Sequence, residues 1–311
     1  MAPFVNFGLT ALLAAASVVN AQDKPTKPLI NPLMHLNMDT FARYLPPMGH
    51  NRVEDWSNEH IVRFCRGETV NRGMNPWDVE SFNVFYNDCD APWIMCRHRG
   101  SNVSKQQMIE TFGRLPLGVR EHVRHIGVWP DLGGLAGFMN GQNIGFSQGS
   151  FNLGVMIHES MHAVDYSAFR HIGVPLSLTQ SWKNAYNQDS AVPAENSYNN
   201  FVEHFADIAI HSVWDRNVPG GTPAVAPHWR AVGNTMDYLL WAFGDDNLKT
   251  GGKSRCGYRW DNDPAVGKNN RRDVMDLPDT SIRIESIFVD RNGTDTEVDD
   301  VTGGLFNPER R

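Results

Sequence analysis

Hydrophobic and polar positions divide the chain into a mixed first half and a helical second half. Three runs rich in aromatic and β-branched residues are predicted as strands: 82–86, 125–129 and 143–147. Apolar residues at helical spacing predict five helices: 56–66, 104–114, 152–169, 200–213 and 229–243. This order predicts an α+β fold in which a small mixed sheet precedes a mainly helical C-terminal half.

The first residues have the pattern of an export signal. Residues 2–20 carry no charge, residues 9–16 form an apolar centre, and small residues precede Gln22. We therefore expect residues 1–21 to be a signal peptide that is removed. No other stretch approaches the ~18 apolar residues of a membrane helix. The sequence predicts a secreted, extracellular protein that does not contact a membrane after signal removal.

The mature chain is expected to form one main domain, because its length suits one large core. Residues 22–50 are rich in Pro and Asn and predict an extended lead-in, and residues 51–289 carry the predicted domain. Residues 290–311 predict a flexible acidic tail. The net charge of −7 argues against nucleic acid as a partner, and we expect a monomer.

Export makes the four cysteines candidates for disulfides. They are Cys65, Cys89, Cys96 and Cys256. Three pairings are possible, and the short spacing of Cys89 and Cys96 favours a bond between them, which leaves Cys65 with Cys256. Asn102 and Asn292 lie in glycosylation sequons.

The strongest chemical signal is the segment His158-Glu159-Ser160-Met161-His162. On a helix, residues four apart lie about 40° apart around the axis and about 6 Å apart along it. Both imidazoles can therefore reach one metal ion, and Glu159 stands where it can take a proton from a metal-bound water. The strand before this helix, residues 143–147, is a candidate to border a cleft and pair with an extended peptide.

A catalytic zinc needs a third protein ligand. The third His of metzincins is missing, and so is a Gly-Thr-x-Asp motif. Asp165 follows on nearly the same helix face, but its short side chain favours a supporting role. Glu203 and Asp207 share a face of the next helix, and Glu203 can bind zinc while Asp207 orients a His. The alternative is ordinary capping, with Asn200 as the N-cap and Glu203 in a capping box.

Two segments resemble the peptidase domain of anthrax lethal factor and its relatives, which are zincins. They are residues 157–165, Ile-His-Glu-Ser-Met-His-Ala-Val-Asp, and residues 203–207, Glu-His-Phe-Ala-Asp. The resemblance implies a zincin-like fold and one Zn²⁺. It also implies the following roles: His158, His162 and Glu203 as ligands, Glu159 as the general base, and Asp207 behind the ligands.

Relatives of lethal factor also carry a Tyr, shortly before the Glu ligand, that helps to stabilise the oxyanion. The matching position here is Asn196, and the nearby candidates for this role are Tyr198, which we favour, and Tyr186. The secreted, Trp- and Asn-rich chain is also similar to a group of fungal secreted proteins associated with conidiation.

These observations predict a secreted zinc-dependent endopeptidase that cleaves a peptide or protein substrate with a metal-activated water. Two alternatives stay open. One is a zincin-like binding or effector protein with little or no catalytic turnover. The other is a metal-dependent hydrolase of another amide bond, such as one in cell-wall material.

Overall fold

The structure is a computed structural model that describes residues 24–31, 33–269 and 283–286. The predicted signal peptide, Asn292 and the predicted acidic tail lie outside these residues. Within them, helices and strands occur in this order: α1 (Met38–Tyr44), β1 (His50–Asp55), β2 (His60–Val62), α2 (Arg63–Asn71), β3 (Val79–Tyr86), β4 (Trp93–His98), α3 (Lys105–Gly113), α4 (Leu117–Arg120), β5 (His125–Trp129), β6 (Gly137–Asn140), β7 (Asn143–Ser147), α5 (Leu153–Ser167), α6 (Gln180–Gln188), α7 (Phe201–Asn217), α8 (Gly221–Val225), α9 (Gly233–Phe243), α10 (Asp245–Leu248), β8 (Ala265–Gly267) and β9 (Arg283–Ser286).

The fold is mixed α and β. Seven of the described strands form one sheet in the order β1-β3-β4-β5-β7-β6-β9. Strands β4, β5 and β7 run parallel, and the remaining neighbours in this sheet pair antiparallel. Strands β2 and β8 form a separate antiparallel pair.

The sheet separates two apolar clusters because side chains alternate between its faces. On one face, Trp93 and Met95 of β4 join the main core, which includes α5 and α7. On the other face, Ile94 and Cys96 join a smaller cluster that includes α2. Helix α5 is therefore enclosed between the sheet and α7, and this position buries the residues of the candidate metal centre.

The alternation along β4 also explains the disulfides. Cys96 points to the smaller cluster and bonds to Cys65 of α2, while Cys89 bonds to Cys256 beside the main core. The pairing favoured from sequence spacing is therefore wrong. A short spacing makes a loop easy to close, but the two cysteines lie on opposite sides of the sheet.

Several local predictions agree with the structure. The predicted strands 125–129 and 143–147 coincide with β5 and β7, and 82–86 forms the end of β3. Helix α3 begins after Ser104, which makes a capping box with Gln107. These elements could be predicted because their signals lie within a few residues of one another.

Other predictions are wrong where a distant partner decides. Residues 60–62, in the middle of the predicted helix 56–66, form β2 because they pair with β8 about 200 residues later. Within the expected extended lead-in, residues 38–44 form α1, which buries Phe41 in the main core. The predicted peptide-binding strand 143–147 is interior, since β5 and β6 pair with its two sides.

Candidate metal centre

Helix α5 carries the two-histidine motif into the core. Asn152 caps the helix, and its Oδ1 accepts a hydrogen bond of 3.0 Å from the Val155 N–H. His158, Glu159 and His162 are all fully buried. Because helical spacing turns both imidazoles to the same side, they face α7 together.

Helix α7 supplies the third group. Asn200 is the N-cap, since its Oδ1 accepts a hydrogen bond of 2.8 Å from the Glu203 N–H. This confirms the capping role of Asn200. The Glu203 carboxylate meets α5, so the cap and a contact with the histidines exist together.

The three side chains converge on one point. His158 Nε2 lies 3.0 Å from Glu203 Oε2 and 3.1 Å from His162 Nε2, and His162 Nε2 lies 3.5 Å from Glu203 Oε1. One ligand atom from each residue lies within 4.8 Å of the others. Two imidazole nitrogens and one carboxylate oxygen are a donor set that suits zinc and leaves a coordination position open. The residues present therefore fit a zinc ion.

Asp207 contacts His158 at Nδ1, on the side of the ring away from the convergent atoms. Its Oδ1 lies 3.2 Å from His158 Nδ1, and its Oδ2 accepts a hydrogen bond of 2.7 Å from Ser197 Oγ. A carboxylate at Nδ1 holds the imidazole so that Nε2 faces the shared point. Ser197 had no sequence signal, because nothing local indicates that its turn packs on α7.

The charges around the two histidines differ. Burial alone lowers the pKa of His158, but hydrogen bonds with Asp207 and Glu203 outweigh burial and hold it well above the ordinary value. Burial, and then the neighbouring His158, lower the pKa of His162. The two carboxylates thus favour a positive charge at this point, whether an imidazolium or a metal cation carries it.

Glu159 lies on the sheet side of α5. A Cβ atom built on Gly137 of β6 would stand 2.6 Å from Glu159 Oε1. A side chain at position 137 would therefore require the Glu159 carboxylate to shift. Glu159 is not one of the three groups that converge.

Tyr198 ends a 3₁₀ turn, Glu195–Tyr198, and is 41% exposed. The residue of this turn that contacts Asp207 is Ser197.

Lys24 adds a contact that the sequence did not indicate: its ammonium donates to the Ser197 carbonyl. Burial lowers the pKa of Lys24 to about 8, against the opposite effect of Asp207. The start of the described chain is thereby held beside the centre.

Asp165 anchors the chain that follows α5. Its Oδ1 accepts a hydrogen bond of 3.0 Å from the Ser177 N–H, and its Oδ2 accepts one from Ser177 Oγ. Burial raises the pKa of Asp165 to about 7, although Ser177 acts in the opposite direction. The native state therefore holds this proton between about pH 4, where an unfolded Asp titrates, and about pH 7.

We expect Asp165→Asn to change the pH dependence of stability. In the native protein this group binds more protons than in the unfolded chain, so its contribution to the free energy of unfolding falls as pH rises from about 4 to about 7. The wild type should lose stability relative to the variant over this range, as measured by urea unfolding at several pH values. Exposed Asp90 provides the control, and Asp90→Asn should run parallel to the wild type. A parallel curve for Asp165→Asn would contradict the prediction.

Comparisons with known proteins identify a different family from the one the motifs suggested. The sequence model of the family described as conidiation-specific protein Con-13 matches residues 38–223. Conidiation-specific protein 13 of Neurospora crassa is 25% identical over 168 residues, which cover 53% of this chain and 49% of the relative. The chain thus spans about half the length of that curated relative. No solved structure matches.

These matches overturn the prediction of a zinc endopeptidase and the resemblance to lethal factor on which it rested. The family match covers the two-histidine helix, Glu203 and Asp207, and its description concerns conidiation rather than peptide hydrolysis. The classification as a hydrolase, protease or metalloprotease is therefore wrong. The motif indicated correctly how the side chains are spaced, but spacing alone does not indicate turnover. The other resemblance, to fungal proteins associated with conidiation, is the one that the family match supports.

Proposed function

The chain belongs to the Con-13 family of conidiation-specific proteins, and on this premise we propose that it is a secreted protein that binds one zinc ion. Its action is binding, with little or no catalytic turnover. The relative's name refers to a developmental stage and states no chemistry. The proposal therefore rests on the site of this chain.

The observation that carries the proposal is the buried convergence of His158, His162 and Glu203, with ligand atoms within 4.8 Å of one another. Buried imidazole and carboxylate groups are costly to bring together without a cation that uses them. Helices α5 and α7 hold these residues from two sides, in a zincin-like arrangement next to the sheet. Zinc bound there supplies a positive charge and one open coordination position.

Secretion is part of the proposal. Two disulfides are compatible with an oxidising compartment. Asn102, in its sequon, is exposed and accessible to glycosylation. Within the described residues, no helix combines the length and apolar character needed to cross a membrane.

Metal content tests the proposal directly. The protein is first stripped of metal with a chelator and then dialysed against zinc. It is expected to retain one equivalent of zinc, as measured by mass spectrometry of the metal. Zinc should also raise the unfolding temperature, since a ligand at 100 times its Kd stabilises the native state by about 2.7 kcal/mol. His162→Gln should lose the bound zinc. His122→Gln is the matched control, because His122 is also a buried imidazole but contacts Ser167 instead.

Three results would contradict the proposal. The first is wild-type protein that retains no zinc, and the second is His162→Gln that retains as much zinc as His122→Gln. The third is zinc-dependent cleavage across a peptide library that disappears in Glu159→Gln, because that outcome would establish turnover.

A further inference from the structure

Trp241 is the most exposed of the large hydrophobic side chains in the described chain, at 77%. It lies on α9, and its ring centroid is 5.5 Å from that of Tyr238, one turn earlier. Tyr238 in turn contacts buried Trp182 of α6, at 6.2 Å between centroids. The indole and the ring beside it leave apolar area unburied on this part of the surface.

Tyr238 lines a groove between α6 and α9, which we call the α6–α9 groove, with a volume of about 400 Å³. The groove is shallow and open to solvent. Polar side chains line it from both helices: Ser181, Asn184 and Gln188 of α6, and Asn234, Asp237 and Tyr238 of α9. Along α6 these positions recur every three or four residues, and along α9 Asp237 and Tyr238 follow Asn234 by three and four residues, so each helix presents one face to the groove.

The lining has a definite chemical character. Apart from the Asp237 carboxylate, its polar groups are hydroxyls and carboxamides, which both donate and accept hydrogen bonds. Of the described residues that line the groove, one is acidic, Asp237, and none is basic. This charge pattern disfavours phosphates, nucleic acid and acidic polymers. It suits a neutral ligand with many hydroxyl groups.

The two aromatic rings, together with the polar lining, match the two kinds of surface that a sugar ring presents. A sugar ring has a flat face of C–H groups and an edge of hydroxyls. The electron-rich faces of Trp and Tyr attract the C–H groups, while amides and a carboxylate bind the hydroxyls. Gln180 donates a hydrogen bond of 2.9 Å to Asn184 Oδ1, which orients the Asn184 amide. Helix α9 thus presents the two rings, and polar side chains of α6 and α9 line the groove beside them.

We propose that the α6–α9 groove binds a neutral polysaccharide, with Trp241 and Tyr238 as the stacking platform and Asp237 as the main hydroxyl acceptor. This site is separate from the metal centre, because none of its residues is among the three convergent groups. It does not depend on zinc, and it extends the activity of the chain to attachment to a glycan surface.

Sedimentation of the purified protein with insoluble β-1,3-glucan, chitin and α-mannan tests the proposal, and the three arms distinguish the sugars. At least one should retain the wild type. Soluble hexasaccharides of the same sugar should shift the tryptophan fluorescence. Trp241→Ala should weaken binding at least about tenfold, as expected when a central aromatic anchor is truncated. Trp241→Phe should recover part of the affinity, and Asp237→Asn should weaken it while leaving both rings in place.

Tyr44→Ala is the control, since Tyr44 is an exposed ring, at 39%, on α1. It should bind glycan like the wild type, and an unchanged melting temperature checks that Trp241→Ala is folded. The proposal fails if the wild type binds none of the three polysaccharides. It also fails if Trp241→Ala binds as well as Tyr44→Ala. Loss of self-association in Trp241→Ala with unchanged glycan binding would identify a protein contact instead, and would overturn it as well.

Discussion

Glu203→Gln is expected to lower the zinc affinity by at least about 100-fold. Loss of a group that hydrogen-bonds to a metal ligand typically lowers metal affinity 10–100-fold. Glu203 is itself one of the three convergent groups, so its loss should cost at least as much. The neutral amide keeps the shape of the side chain but removes the negative charge that faces both imidazoles, at 3.0 Å from His158 and 3.5 Å from His162. Competition with a fluorescent zinc chelator measures the change.

The variant should remain folded because the backbone N–H of residue 203, which bonds to the Asn200 cap, is unchanged. Exposed Glu195 offers a matched control in the turn before α7. Glu195→Gln makes the same chemical change away from the convergent groups and should keep wild-type affinity. Equal affinities for Glu203→Gln and Glu195→Gln would show that Glu203 does not bind the metal.

Trp93→Ala is expected to destabilise the fold by about 3–5 kcal/mol, the usual cost of truncating a buried Trp. Trp93 is fully buried on β4, and its ring contacts Tyr86 and Phe112 at 5.5 and 5.6 Å between centroids. Its Nε1–H also donates to the Val123 carbonyl at 3.1 Å. The substitution removes ring packing and this hydrogen bond, while the Val123 carbonyl keeps its bond of 2.7 Å from Arg259.

Trp241→Ala is the matched comparison, because the same substitution at an exposed position should change stability by less than about 0.5 kcal/mol. Urea unfolding with both disulfides intact measures the two variants side by side. Similar losses of stability in both would mean that Trp93 does not anchor the sheet to its helices as described.

The contrast between the predicted and observed family has a physical basis. His158 and His162 meet on one side of α5 because helical geometry requires it, and any protein with this spacing acquires the same pair. Whether a bound metal then supports hydrolysis depends on access, on the position of Glu159 and on an oxyanion donor. Those features come from the surroundings, and at the expected position of the catalytic Tyr this chain has Asn196.

The strands and disulfides likewise show that local sequence patterns do not determine contacts between distant residues. Strands β5 and β7 and helix α3 could be predicted because their apolar pattern, turn residues and caps are local. Strand β2 could not, because β8 lies about 200 residues away. The disulfides could not be assigned either, because they depend on which face of β4 each cysteine meets.

The sequence by itself determined the two-histidine pair, the cap of α7 and the short strands, since each depends on residues within one or two helical turns or one strand. Only the tertiary structure decided that Glu203 reaches that pair, that Ser197 and Lys24 lie behind it, and that Trp241 stands exposed beside a polar groove. These relations depend on packing between elements distant in sequence. Long-range packing is set by the whole core rather than by any local pattern.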